Sequence, residues 1–131
     1  ILKLINKMQK SMSAIKKLEK KNSLQMKKRF QRYKKELDIK GKDLNMTEIF
    51  TTLGKSDINE EVVRFDSHLG LVANLIKSKN NIGKKLDFYT QEMLREANTM
   101  SSKALISEIK NEAVDMKSSI ERMKEHAQNI E

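Results

Sequence analysis

Apolar positions open the chain in steps of four and three, at Ile1, Ile5, Met8, Met12 and Ile15, and the same steps resume at Met26, Phe30, Tyr33 and Leu37. Such spacing keeps one face of a helix apolar. Between the two runs Glu19 and Asn22 occupy the seam. The pattern therefore predicts either one interrupted helix or a helical hairpin, with Lys20-Lys21-Asn22-Ser23 as the place for the kink or turn. The stripe is narrow and lysine fills the other faces, which suits an arm packed on something one or two helices wide.

Lys40-Gly41-Lys42-Asp43 punctuates the chain, and Asn45 to Phe50 can start a short helix, capped by Asn45 or Thr47 and ended by Leu53-Gly54. Ser56 or Asp57 can cap the next helix, whose apolar face is Ile58, Val62, Phe65, Leu69, Val72 and Ile76. That helix is expected to end in the polar run from Lys77 to Asn81. Gly83 then separates it from a helix with core positions Leu86, Tyr89, Met93, Ala97 and Met100. A last helix from about Ile106 carries Ile109, Ala113, Met116, Ile120, Met123 and Ala127. The connection around Gly83 is short, so the two helices it joins should be antiparallel neighbours. The pattern thus predicts an all-α fold: a long basic helix or helical hairpin, then antiparallel helices with coiled-coil-like packing. It divides into a basic helical arm over 1–42 and a helical C-terminal domain over 43–131.

Composition agrees with helices. Across 131 residues there is no Pro, no Cys and only four Gly, which disfavours sheet and tight turns. Without cysteine there is neither a disulfide framework nor a thiolate zinc site, a pattern that suits a reducing cytoplasm. No apolar run approaches the roughly twenty residues that span a bilayer. The chain begins with Ile in mid-pattern, from which we expect the natural protein to carry an upstream domain.

Charge is unevenly placed. Residues 1–42 hold 15 Lys/Arg against 3 Asp/Glu, whereas residues 43–131 hold 12 against 15. A concentrated positive element attracts polyanions in a salt-dependent way; the plainer alternative is a solvated, charge-studded helix.

The polar side of the Asp87–Lys103 segment is organised. At helical spacing Asp87, Gln91, Arg95, Asn98 and Ser102 form one stripe, and Glu92, Glu96, Thr99 and Lys103 its neighbour. Carboxylates one turn apart, such as Glu92 and Glu96, can bind a divalent cation or supply an acid and a base. They can equally form an exposed ion-pair ladder with Arg95, worth a few tenths of a kcal/mol. On the preceding helix Glu61, Arg64 and His68 share a second polar face, with Glu60 and Asp57 close by. A histidine can ligate metal or act as a base near neutral pH. No Gly-rich phosphate loop, H-E-x-x-H or Ser/Cys nucleophile motif is present. The aromatics Phe30, Tyr33, Phe50, Phe65, Phe88 and Tyr89 are too few and too seam-bound for a base-stacking platform.

The run Gly83-Lys84-Lys85-Leu86-Asp87-Phe88, continued by Gln91-Glu92-Met93, Arg95-Glu96-Ala97-Asn98-Thr99 and Ser102-Lys103, resembles the C-terminal region of the bacterial YicC-like endoribonucleases. The upstream residues Asp57-Ile58, Glu60-Glu61, Arg64 and His68 and the ending Gln128-Asn129-Ile130-Glu131 are similar too. The likeness is colinear from about Thr47 to the end. Departures fall at Tyr89-Thr90, Leu94, Ala104 and Lys124-Glu125-His126, none of which removes a charge from the two polar faces. His126 reads as a surface substitution.

The resemblance implies a cytoplasmic, RNA-cleaving protein assembled as a ring-like homo-oligomer, a hexamer, with no membrane association and with a divalent cation, manganese or magnesium, assisting. On that footing His68, Glu92, Glu96 and Arg95 are the candidate catalytic residues. Glu92, Glu96, His68, Glu61 and Asp87 are candidates for holding the cation. Arg64, Lys103, Lys84, Lys85, Arg29 and Arg32 are candidates for binding RNA phosphates. Two other readings compete: a non-catalytic oligomerisation and RNA-binding module, which would bind RNA without turnover, and a coiled-coil scaffold with no RNA affinity at physiological salt.

Overall fold

The computed structural model describes residues 1–39, 54, 56–78 and 82–128. Four helices follow one another: α1 (Leu2–Ile39), α2 (Asn59–Lys77), α3 (Ile82–Lys103) and α4 (Ser107–Gln128). No strand occurs among the described residues.

α1 is a single unbroken helix, so neither the kink nor the hairpin expected at Lys20–Ser23 forms. The reason lies in Asn22. Its side chain is almost wholly buried, donating to the Ser56 carbonyl at 3.0 Å and accepting from the Leu105 backbone N–H at 2.9 Å. A polar residue on the seam thus marks a clamp on two loops rather than a break in the helix.

The helices pack in a ring. α1 lies against α2 and α4, and α3 lies against the same two, while α1 and α3 do not meet among the described residues. Lys16–Asp66 (3.0 Å) and Asn22–Ser56 set α1 antiparallel to α2, and Lys21–Glu108 (2.8 Å) ties α1 to the start of α4. The core takes the expected positions. Ile5, Met8, Met12 and Ile15 of α1 are buried with Phe65, Leu69 and Val72 of α2, Leu86, Met93 and Met100 of α3, and Ile109, Met116, Ile120 and Met123 of α4. The first half of α1 therefore shares one core with the other three helices. Its second half is less covered, with Met26, Phe30 and Leu37 half-buried and Tyr33 exposed.

Local chemistry sets the helix ends. The N-cap position of α2 is Ile58 rather than Ser56 or Asp57, and Asp57 accepts from the Asn59 N–H at 2.9 Å, satisfying one free donor at the start of the helix. α3 begins at Ile82, so Gly83 lies inside its first turn rather than ahead of it. Lys110 reaches back from α4 to the Ser101 carbonyl at 2.7 Å, satisfying one of the free acceptors at the end of α3. The short helix expected from Asn45, and the boundary expected at residues 42 and 43, lie outside the described residues. No helix among the described residues is long and apolar enough to cross a membrane.

Candidate active site

The polar faces of α2 and α3 meet along their shared seam. Two contacts fix the register: His68 Nδ1 lies 3.4 Å from Glu96 Oε2, and Lys103 Nζ donates to Glu61 Oε1 at 2.9 Å. Seven residues back along α2 from His68 to Glu61 match seven forward along α3 from Glu96 to Lys103, as antiparallel helices require. The two contacts lie about 10 Å apart at 1.5 Å per residue.

Burial separates the two stripes of α3. Glu96 is buried, and Glu92, Thr99 and Lys103 are half-buried; Gln91, Arg95, Asn98 and Ser102 are exposed. The stripe that faces α2 is therefore the one carrying Glu92, Glu96 and Lys103. Arg95 and Asp87 fall outside it, and the Asp87 carboxylate accepts from Gln91 at 3.1 Å. Arg64 pairs with Glu60 at 3.2 Å on the exposed flank, yet stands close enough for its charge to act on Glu96. Lys84 and Lys85 are exposed in the first turn of α3, about 17 Å along the helix from Glu96. Arg29 and Arg32 are exposed on the second half of α1, and His126 is exposed on α4.

The seam holds charge at a cost. Side-chain exposure is 4 % for Glu96, 7 % for Glu61 and 21 % for His68. The His68–Glu96 approach is close but not aligned as a hydrogen bond, so Glu96 Oε2 and His68 Nδ1 have no hydrogen-bond partner among the described residues; Glu61 Oε2 is also unpartnered. Burial pushes the Glu96 carboxyl above its ordinary value and Glu92 pushes the same way, while His68 and Arg64 oppose them. Buried polar atoms are nearly always satisfied, and titratable groups perturbed by burial beside a specific charged neighbour cluster at functional sites. Tyr89 adds an aromatic wall, its ring centred 6.0 Å from that of His68. The sequence pattern assigned Tyr89 to the core; only the pairing of α2 with α3 places it beside the imidazole.

As a metal centre the arrangement is incomplete. His68 Nδ1 and Glu96 Oε2 stand together, but among the described residues no three acid or histidine side chains form a group that could hold an ion. Glu61 is engaged by Lys103 two turns away, and Asp87 lies further along α3. Among the described residues the donors thus do not fit a complete cation site.

The family described as endoribonuclease YicC-like, C-terminal, matches residues 9–131, which include every residue of the seam. A probable endoribonuclease YicC of Clostridioides difficile is 49 % identical over 77 residues, 59 % of this chain and 26 % of that protein. A probable endoribonuclease YicC of Haemophilus influenzae is 41 % identical over 75 residues, 57 % of this chain and 26 % of that protein. The matched stretch thus spans about a quarter of each relative's length. With the seam between α2 and α3 inside the matched region, the chain belongs to the YicC-like endoribonuclease family, of which it carries the C-terminal part.

Proposed function

We propose that this chain is the catalytic part of an RNA-cleaving enzyme and that the His68–Glu96 contact carries its proton transfers. The supporting observation is the pair itself: a buried Glu96 and a half-buried His68 whose Oε2 and Nδ1 atoms lie 3.4 Å apart, neither atom with a hydrogen-bond partner among the described residues, inside the family match.

Cleaving a phosphodiester needs a base for the attacking oxygen, charge stabilisation on the phosphoryl oxygens, and a proton for the leaving oxygen. His68 Nδ1 takes the proton of the attacking hydroxyl. Glu96, whose burial favours its protonated form, returns a proton to the leaving oxygen as the phosphorus–oxygen bond breaks. Arg64, whose charge acts on Glu96, stabilises the phosphoryl oxygens, and Lys103, about 10 Å further along the seam, holds a neighbouring phosphate. If the attacking group is the RNA's own 2′-hydroxyl, the products are a 2′,3′-cyclic phosphate and a 5′-hydroxyl. If it is water, they are a 3′-hydroxyl and a 5′-phosphate. Assembly into a ring-like homo-oligomer belongs to the same reading, and light scattering of the longer protein tests it.

The deciding experiment compares His68→Ala, Glu96→Ala and Glu92→Ala, each shown to be folded, on structured RNA with end-group analysis of the products. Loss of His68 or Glu96 should slow cleavage by about 10²–10⁴-fold. Cutting at the parental rate by all three would refute the assignment. RNA binding without turnover by the parent would favour the non-catalytic module instead.

A further inference from the structure

The outward face of α1 is a continuous cationic surface that the seam does not use. On a helix of 100° per residue, Lys10, Lys17, Lys28, Arg32 and Lys35 fall on the side opposite the apolar stripe. All five are exposed, and none pairs with an acid among the described residues. No Asp or Glu interrupts this side between Lys10 and Lys35, since Glu19 lies on the seam and is half-buried. The face is about 38 Å long at 1.5 Å per residue.

Two shallow depressions lie along it. One of about 550 Å³ is lined by Asn6, Gln9, Lys10, Ser13, Ala14 and Lys17. The other, of about 360 Å³, is lined by Leu24, Lys27, Lys28, Gln31, Arg32 and Lys35. Short uncharged side chains thus alternate with long cations, leaving room for a chain of phosphates between them.

We propose that this face is a backbone-binding rail for RNA, holding the substrate through its phosphates independently of sequence. The choice of RNA as the polyanion rests on the RNA-cleaving reading above; the rail's geometry does not. Phe30 and Tyr33 lie on the opposite stripe, so this face carries no aromatic ring to stack on bases, and its contact is confined to the backbone. An anionic membrane fits less well. A helix that lies on lipid inserts an apolar face, and here Ile5, Met8, Met12 and Ile15 are committed to the core. Because α1 and α3 do not meet among the described residues, the rail and the seam can be altered separately.

The test uses the 131-residue chain and a labelled RNA hairpin, with the dissociation constant measured across a salt series. Each phosphate that a cation neutralises adds about 0.7–0.9 to the slope of log affinity against log salt. Lys17→Gln, Lys28→Gln and Arg32→Gln combined should therefore lower that slope by about 2 and weaken binding about 100-fold near 0.1 M salt. The control Lys117→Gln, Arg122→Gln and Lys124→Gln on α4 removes the same charge and should leave affinity within about twofold. Equal weakening in both triple variants, or none in the first, would overturn the rail. So would vesicles of phosphatidylserine binding as tightly as the hairpin. RNA that binds at the rail and is never cut would leave the rail standing and refute the cleavage reading.

Discussion

At position 22 an asparagine occupies a place on the seam that leucine or methionine would ordinarily fill. Its carboxamide serves the Ser56 carbonyl and the Leu105 N–H at once, holding the approach to α2 and the α3–α4 reversal on one side chain. Asn22→Leu should cost about 1–3 kcal/mol for each backbone group left dry, measured by denaturant unfolding. Glu96 presents the opposite trade. Burial raises its carboxyl in the folded state, so the folded chain holds that proton more tightly than the unfolded one. Its contribution to stability is complete below the ordinary carboxylate range and is lost as pH rises through the raised value. Glu96→Gln should therefore flatten the fall in melting temperature as pH rises above the ordinary carboxylate range, while slowing cleavage as Glu96→Ala does. A variant with an unchanged pH profile would remove Glu96 from this account.

Among the elements, α2 carries a weakness that its packing does not require. Gly70 is exposed in mid-helix, and a Cβ added there would meet nothing within 4 Å. Gly70→Ala should raise stability by about 0.5–1 kcal/mol, chiefly by narrowing the unfolded ensemble, as a higher denaturation midpoint with an unchanged slope would show. α3 could be read closely in the sequence but not completely. Its two polar stripes were legible from spacing alone. Which of them faces α2 was not, because helical periodicity is an internal property of one element and the choice of partner face is not. Arg95 and Glu96 are adjacent in the chain, yet one is exposed and the other buried.

Across the whole molecule, α1 is the wall that closes the ring. Its residues Ile5, Met8, Met12 and Ile15 cover the core formed by α2 and α4, so the three later helices would expose a long apolar groove without it. A chain beginning at residue 40 should lose the cooperative thermal transition of the full chain, as followed by circular dichroism. A sharp transition in the shortened chain would instead make residues 43–131 an independent domain. The charge asymmetry follows the same geometry, with the cations of α1 on the side that the ring leaves to solvent.

The sequence by itself determined the helical class, nearly every core position and the family, because burial on helices repeats with a period that spacing displays. It also supplied His68, Glu61, Glu92 and Glu96 as candidates. Only the tertiary structure decided that α1 runs unbroken through Asn22 and that Glu96 meets His68 while Lys103 meets Glu61. It alone left Arg95 and Asp87 outside the seam. Those outcomes depend on the register between helices, which is set by side chains far apart in the chain. The polar face of Asp87–Lys103 that periodicity marked as organised thus became, through that register, one buried pair and one ion pair two turns apart.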